Sequence, residues 1–105
     1  MKIEKRDNYL FFSEIKYSDQ NAFFNKLDSL KLQPINLILQ LETEIINNSS
    51  LILSLLKYSS FWKKSHKSFI LVVGDSIIED KKFVSVPTLN EAIDYLYMEE
   101  LERNV

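Results

Sequence analysis

Asn47, Asn48, Ser49, Ser50 and Leu51 form the segment of this chain where residue type and spacing offer a definite chemistry. They sit inside NLILQLETEIINNSSLILSLL, residues 36–56, which reads as a buried strand, a short polar loop and the start of an apolar helix. Backbone N–H groups in a first helical turn lack partners and favour negative charge. A phosphate esterified to Ser49 or Ser50 would therefore be held by the helix end and would alter the surface around it. The same hydroxyls can instead serve as an N-cap, worth ~1 kcal/mol to the helix. The cap is the reading that the residue types favour.

Other chemistries find little to work with. The single histidine, His66, lies between Ser65 and Lys67 in a polar stretch, which suits an exposed loop side chain better than a catalytic base. Ser65 and Ser68 are near it in sequence, but nearness is not triad geometry. With Gly74 as its one glycine the chain lacks the loops that cradle phosphate or dinucleotide, which need several glycines for close backbone approach. The absence of cysteine removes disulfides, thiol catalysis and thiolate metal sites. The acidic pairs Glu79 with Asp80 and Glu99 with Glu100 read as solvated faces rather than metal ligands. The expectation is a protein that is not an enzyme, with no catalytic residue, metal or cofactor.

Composition points the same way. A chain of 105 residues with 46% hydrophobic and 12% aromatic content suits a single domain spanning residues 1–105. Thirteen basic and fifteen acidic residues give a formal charge of -2, so no global field draws the chain to nucleic acid or an anionic membrane. The basic clusters at residues 2–6 and 63–67 read as solvated surface. No apolar run approaches the roughly 20 residues that span a bilayer. A soluble cytoplasmic protein, without nucleic-acid or membrane partners, is expected.

The elements that would position residues 47–51 follow from periodicity. Residues 2–6 and 9–14 form two strands joined at Asp7 and Asn8, types that tolerate a tight hairpin turn. Ser18 offers an N-cap to a helix over residues 19–30, with Phe23, Leu27 and Leu30 on one face, and Pro34 closes that region. Residues 35–41 alternate as a strand does. A second helix starts near Ser50 and reaches Trp62, its face marked by Leu51, Leu55, Tyr58 and Trp62. SFILVVG, residues 68–74, is a nearly continuous apolar run and so a central strand parallel to the one before it. Residues 75–82 hold at most one helical turn. A brief strand over residues 83–86 stops at Pro87. Thr88 and Glu91 then form a capping box for a last helix, whose buried stripe is Leu89, Ala92, Ile93, Leu96 and Leu101, with Glu99 and Glu100 on the wet side.

This order and several short motifs resemble the STAS domain, the module of anti-sigma factor antagonists and of the cytosolic tails of sulfate transporters. Leu39, Gln40 and Leu41 match the family's L-D-L strand, and Asn48, Ser49, Ser50 and Leu51 fall on its D-S-S-G element at the same interval. FILVVG is similar to the following strand, and VPTLNEAIDYL, residues 86–96, to the closing strand, cap and helix. The resemblance implies an α/β fold with a mixed sheet of four to five strands, opened by an N-terminal hairpin, and helices mainly on one face. It also implies a protein partner, a kinase-like anti-sigma factor, that reads residues 47–51, and phosphorylation at Ser49. Asn48 in place of aspartate and Leu51 in place of glycine depart from that pattern.

A second role is open to the sheet itself. If Leu10 and Phe12 face the helices, then Phe11, Ile38, Ile70 and Val72 face away. Helices on one side alone would leave those four as an apolar patch, a surface for a homodimer or a constitutive complex.

Overall fold

Alternating short apolar runs with amphipathic segments commits the backbone to strands and helices in turn, and the computed structural model, described over residues 1–104, contains five strands and four helices. They are β1 Lys2–Lys5, β2 Leu10–Ile15, α1 Gln20–Leu30, β3 Leu37–Leu41, α2 Thr43–Ile46, α3 Ser49–Lys64, β4 Phe69–Val72, β5 Val84–Val86 and α4 Leu89–Arg103. The fold is α/β. Its strands lie in the order β1-β2-β3-β4-β5, antiparallel between β1 and β2 and parallel thereafter. The hairpin turns at Asp7 and Asn8, closed by Arg6 N–H donating to the Tyr9 carbonyl at 2.9 Å.

Period-two alternation splits the sheet into two faces. Leu10, Phe12, Leu37, Leu39, Phe69 and Leu71 face α1, α2 and α3, joined there by Trp62 and by Phe83 from the segment that leads into β5. Tyr9, Phe11, Ile38, Ile70 and Val72 face the other way, onto Ala92 and Leu96 of α4. Helices therefore lie mainly on one face, with α4 alone on the second. Strands β3 and β4 are apolar at nearly every position because both of their faces are covered.

Local details differ from the sequence reading. A 3₁₀ turn, Tyr17–Asp19, precedes α1, and Ser18 lies inside it instead of capping the helix. The turn is tied by Asp19, whose carboxylate accepts from Lys16 N–H at 2.9 Å. Residues 43–46 form the short α2, too brief to show any periodicity. Leu101 is 51% exposed, not part of the buried stripe. From Leu96 the inward face of a helix advances by three or four residues to Glu99, Glu100 and Arg103, while a step of five turns Leu101 away. Asn36 is buried: its Nδ2 donates to the Asn8 carbonyl at 3.0 Å and its Oδ1 accepts from Ser68 N–H at 2.9 Å. It ties the hairpin turn to the entrance of β4.

Candidate functional site

Strand β3 ends at Leu41, α2 turns the chain once, and α3 begins at Ser49, so residues 47–51 sit at the end of the sheet where the parallel strands finish. Asn48 is the N-cap of α3. Its extended backbone and its Oδ1, which accepts from Leu51 N–H at 3.1 Å, satisfy one of the helix's orphan donors. The expectation that Ser49 or Ser50 is the cap is thus corrected: asparagine and serine cap equally well by type, and only the geometry separates them. Asn48 N–H donates to the Ile45 carbonyl at 3.1 Å. The N–H groups of Ser49 and Ser50 then remain as the helix's two open donors.

The side chains divide between surface and core. Asn47, Ser49 and Ser50 are exposed, and Asn48 is half-buried. Ser50 has a backbone duty as well, its carbonyl accepting from Ser54 Oγ at 3.2 Å. Leu51 is buried with Leu55, Ile45 and Phe23, so it anchors the helix start and offers a partner no side chain. Of the five residues singled out by sequence, three form the exposed lip, one organises it and one is core.

An open cavity of about 680 Å³ lies at the same end, lined by Met1, Glu14, Lys16, Glu42, Thr43 and Glu44. Glu14 has a left-handed backbone, φ 53°, at the bulge where β2 shifts register against β3. Asp19 stands nearby in sequence, and the Lys16 N–H, together with the Met1 ammonium at 3.1 Å, holds its carboxyl below the ordinary carboxylate range. Among the described residues no group of three or more histidine, cysteine or acidic side chains is placed to hold a metal ion.

The sheet-face patch is a different matter. Ile38 and Ile70 are 0% exposed, and Phe11 and Val72 are also buried, because α4 packs across them. The expectation of an open apolar surface at Phe11, Ile38, Ile70 and Val72 is corrected by that helix. Periodicity identifies the apolar stripe of α4 but not the side of the sheet it covers.

His66 has φ 59° and ends α3. Its N–H donates to the Lys63 carbonyl at 3.1 Å and that of Lys67 to the Trp62 carbonyl at 3.1 Å, the paired bonds that close a helix on a left-handed residue. The histidine is exposed at a helix terminus, with a structural role for its backbone. No helix of the described residues is long and apolar enough to cross a membrane. In comparisons with known proteins, no family model matches this chain and no curated protein matches it.

Proposed function

We propose that this protein is a non-enzymatic, STAS-like interaction module of the cytoplasm, an anti-sigma factor antagonist-type regulator. It meets a kinase-like protein partner through Asn47, Asn48, Ser49 and Ser50 and the first turns of α3. The observation that carries this reading is the state of Ser49: an exposed hydroxyl at the first position of α3, directly after a cap that does not need it. A hydroxyl with no structural duty, beside two open backbone donors, is free to be modified without unfolding the helix. The sheet order, with an antiparallel hairpin followed by parallel strands, supports the resemblance carried by residues 39–51 and 86–96.

Phosphorylation at Ser49 would place about -1.5 to -2 charges at the positive end of α3. The helix tolerates this charge, whereas a surface docked on the lip meets a new anion and releases it or binds it differently. Asn48 keeps the neighbouring position neutral and Leu51 keeps the helix start rigid, so recognition here rests on shape and hydrogen bonding. Burial of the sheet face under α4 removes the surface on which an assembly role was expected.

The test is recovery of the protein from its native cells under gentle conditions, with intact mass and identification of the bound protein. A kinase-like partner retained by Ser49→Ala and lost by Ser49→Asp supports the reading. A partner that binds wild type and both variants equally overturns it.

A further inference from the structure

The opposite end of the sheet gathers charge that the sequence keeps far apart. There α3 finishes, the segment after β4 returns towards β5, and α4 runs out. Between them is a cleft of about 700 Å³, within the range of small-ligand sites, about 300–1,000 Å³. Its lining includes Lys63 and Lys67 from the end of α3, Lys81 and Lys82 from the segment before β5, and Arg103 from the last turn of α4. Among the described residues Glu99 is the one carboxylate in the lining, beside five permanent cations, in a chain whose formal charge is -2. The basic cluster at residues 63–67 is therefore one wall of a larger site, not an isolated solvated run.

Two features distinguish this cleft from a scatter of surface lysines. Arg103 is held in place: its guanidinium donates to Ser68 Oγ at 2.8 Å, and Ser68 is buried at the foot of β4 with its own N–H bound to Asn36. A fixed guanidinium is suited to a phosphate oxygen pair. Beside it, Glu99 Oε1 is buried and has no hydrogen-bond partner, lying 4.0 Å from the Arg103 guanidinium, beyond hydrogen-bond reach. A buried acceptor without a donor is costly, and rotation of the part-exposed Glu99 carboxylate towards the cleft would let a ligand hydroxyl supply the donor. The helix dipole accounts for cations in the last turns of α3 and α4. It does not account for Lys67, Lys81 and Lys82, which lie outside any helix. Asp80, the nearest acid in that segment, is occupied with Lys82 N–H at 2.9 Å and lines the adjoining groove.

We propose that this cleft binds a small phosphorylated polyol, its phosphates on Lys63, Lys67, Lys81, Lys82 and Arg103 and one of its hydroxyls donating to Glu99. Phe69, Val84 and the Tyr95 ring contribute the apolar side of the lining, against which a carbon skeleton packs. The site is independent of Ser49, since it lies where the parallel strands begin.

Isothermal titration calorimetry of the full chain with inositol trisphosphate, fructose bisphosphate and pyrophosphate tests this, with vesicles of phosphatidylcholine alone or mixed with phosphatidylinositol bisphosphate as a second arm. Saturable binding of inositol trisphosphate or fructose bisphosphate is expected, weakened about tenfold by Lys67→Glu or Lys81→Glu and unchanged by Lys57→Glu on the exposed side of α3. Glu99→Gln is expected to weaken the hydroxyl-bearing probes and spare pyrophosphate. Binding to the mixed vesicles that is lost with the same variants supports the site and identifies a lipid headgroup as the source; binding of the free probes alone supports it with a soluble ligand. The proposal is overturned if no phosphorylated probe saturates, if Lys57→Glu weakens binding as much as Lys81→Glu, or if an RNA homopolymer binds as tightly as the polyol phosphates. Circular dichroism of each variant confirms that any loss is not unfolding, and all three lysines are exposed.

Discussion

Replacing Asn48 separates the structural and regulatory roles of the α3 start. In Asn48→Ala the Leu51 N–H loses the oxygen that accepts from it at 3.1 Å, and the helix loses its cap. Cap removal costs about 0.5–2 kcal/mol, typically ~1. For a domain of this size each kcal/mol corresponds to about 4–8 °C in Tm, so the variant should melt about 4–8 °C below wild type. Asn48→Asp keeps the acceptor and adds a negative charge at the positive helix end, a gain of about 0.3–1 kcal/mol that salt screens. Ser49→Ala removes an exposed hydroxyl with no role in capping and should leave stability within about 0.5 kcal/mol of wild type. Thermal denaturation followed by far-ultraviolet circular dichroism at low and high salt measures all three. If Ser49→Ala destabilises as much as Asn48→Ala, the hydroxyl is the cap, and the argument that Ser49 is free for modification fails.

The remaining predictions concern the core and the pairs that brace it. Ile70→Lys puts an unpaired charge under α4 and should cost several kcal/mol, a large part of the about 5–15 kcal/mol that holds a domain together; a well-folded variant with altered self-association would refute the burial described for this face. Asn36→Ala leaves the buried Ser68 N–H without its acceptor and should cost about 1–3 kcal/mol by urea denaturation, against a negligible loss if water replaces the amide. The Tyr58 hydroxyl is pushed up to about 12, first by burial and then by its hydrogen bond to Asp28 at 2.6 Å. Because the folded value exceeds the unfolded one, this contribution to stability is complete below about pH 10 and is lost as pH rises towards 12. Ultraviolet titration of Asp28→Asn should show the phenol moving only part of the way back, since burial remains; a return to the ordinary value would assign the whole effect to Asp28.

The α/β order was legible because every element except the short α2 carries a local signal of its own. SFILVVG reads as a strand covered on both sides, and VPTLNEAIDYL announces its cap and helix without any tertiary information. The cap at Asn48 was less legible, because three adjacent residues of capping type make the helix start ambiguous by one or two positions. The placement of α4 was hidden for a different reason. An amphipathic stripe demands a cover but does not say which side of the sheet supplies it, although apolar residues on both faces of β3 and β4 hinted at a second layer. Glu99 reads as wet because Leu101 drew the stripe away from it, and its meeting with Arg103, Lys81 and Lys82 is set by where three chain segments end.

The arrangement of the second face also bears on how the protein matures. Every strand in this sheet neighbours its sequence predecessor, so pairing can advance one strand at a time as the chain is made, although each parallel step closes over a crossover and not a tight turn. The apolar row from Phe11 across Ile38 to Ile70 is nevertheless completed only by a helix that leaves the ribosome after all five strands. Until α4 emerges, the nascent sheet carries a bare hydrophobic wall of the kind that sticks to other chains or to chaperones. Translation pauses or premature termination ahead of residue 89 would consequently yield an aggregation-prone product from a chain whose finished form keeps that wall covered.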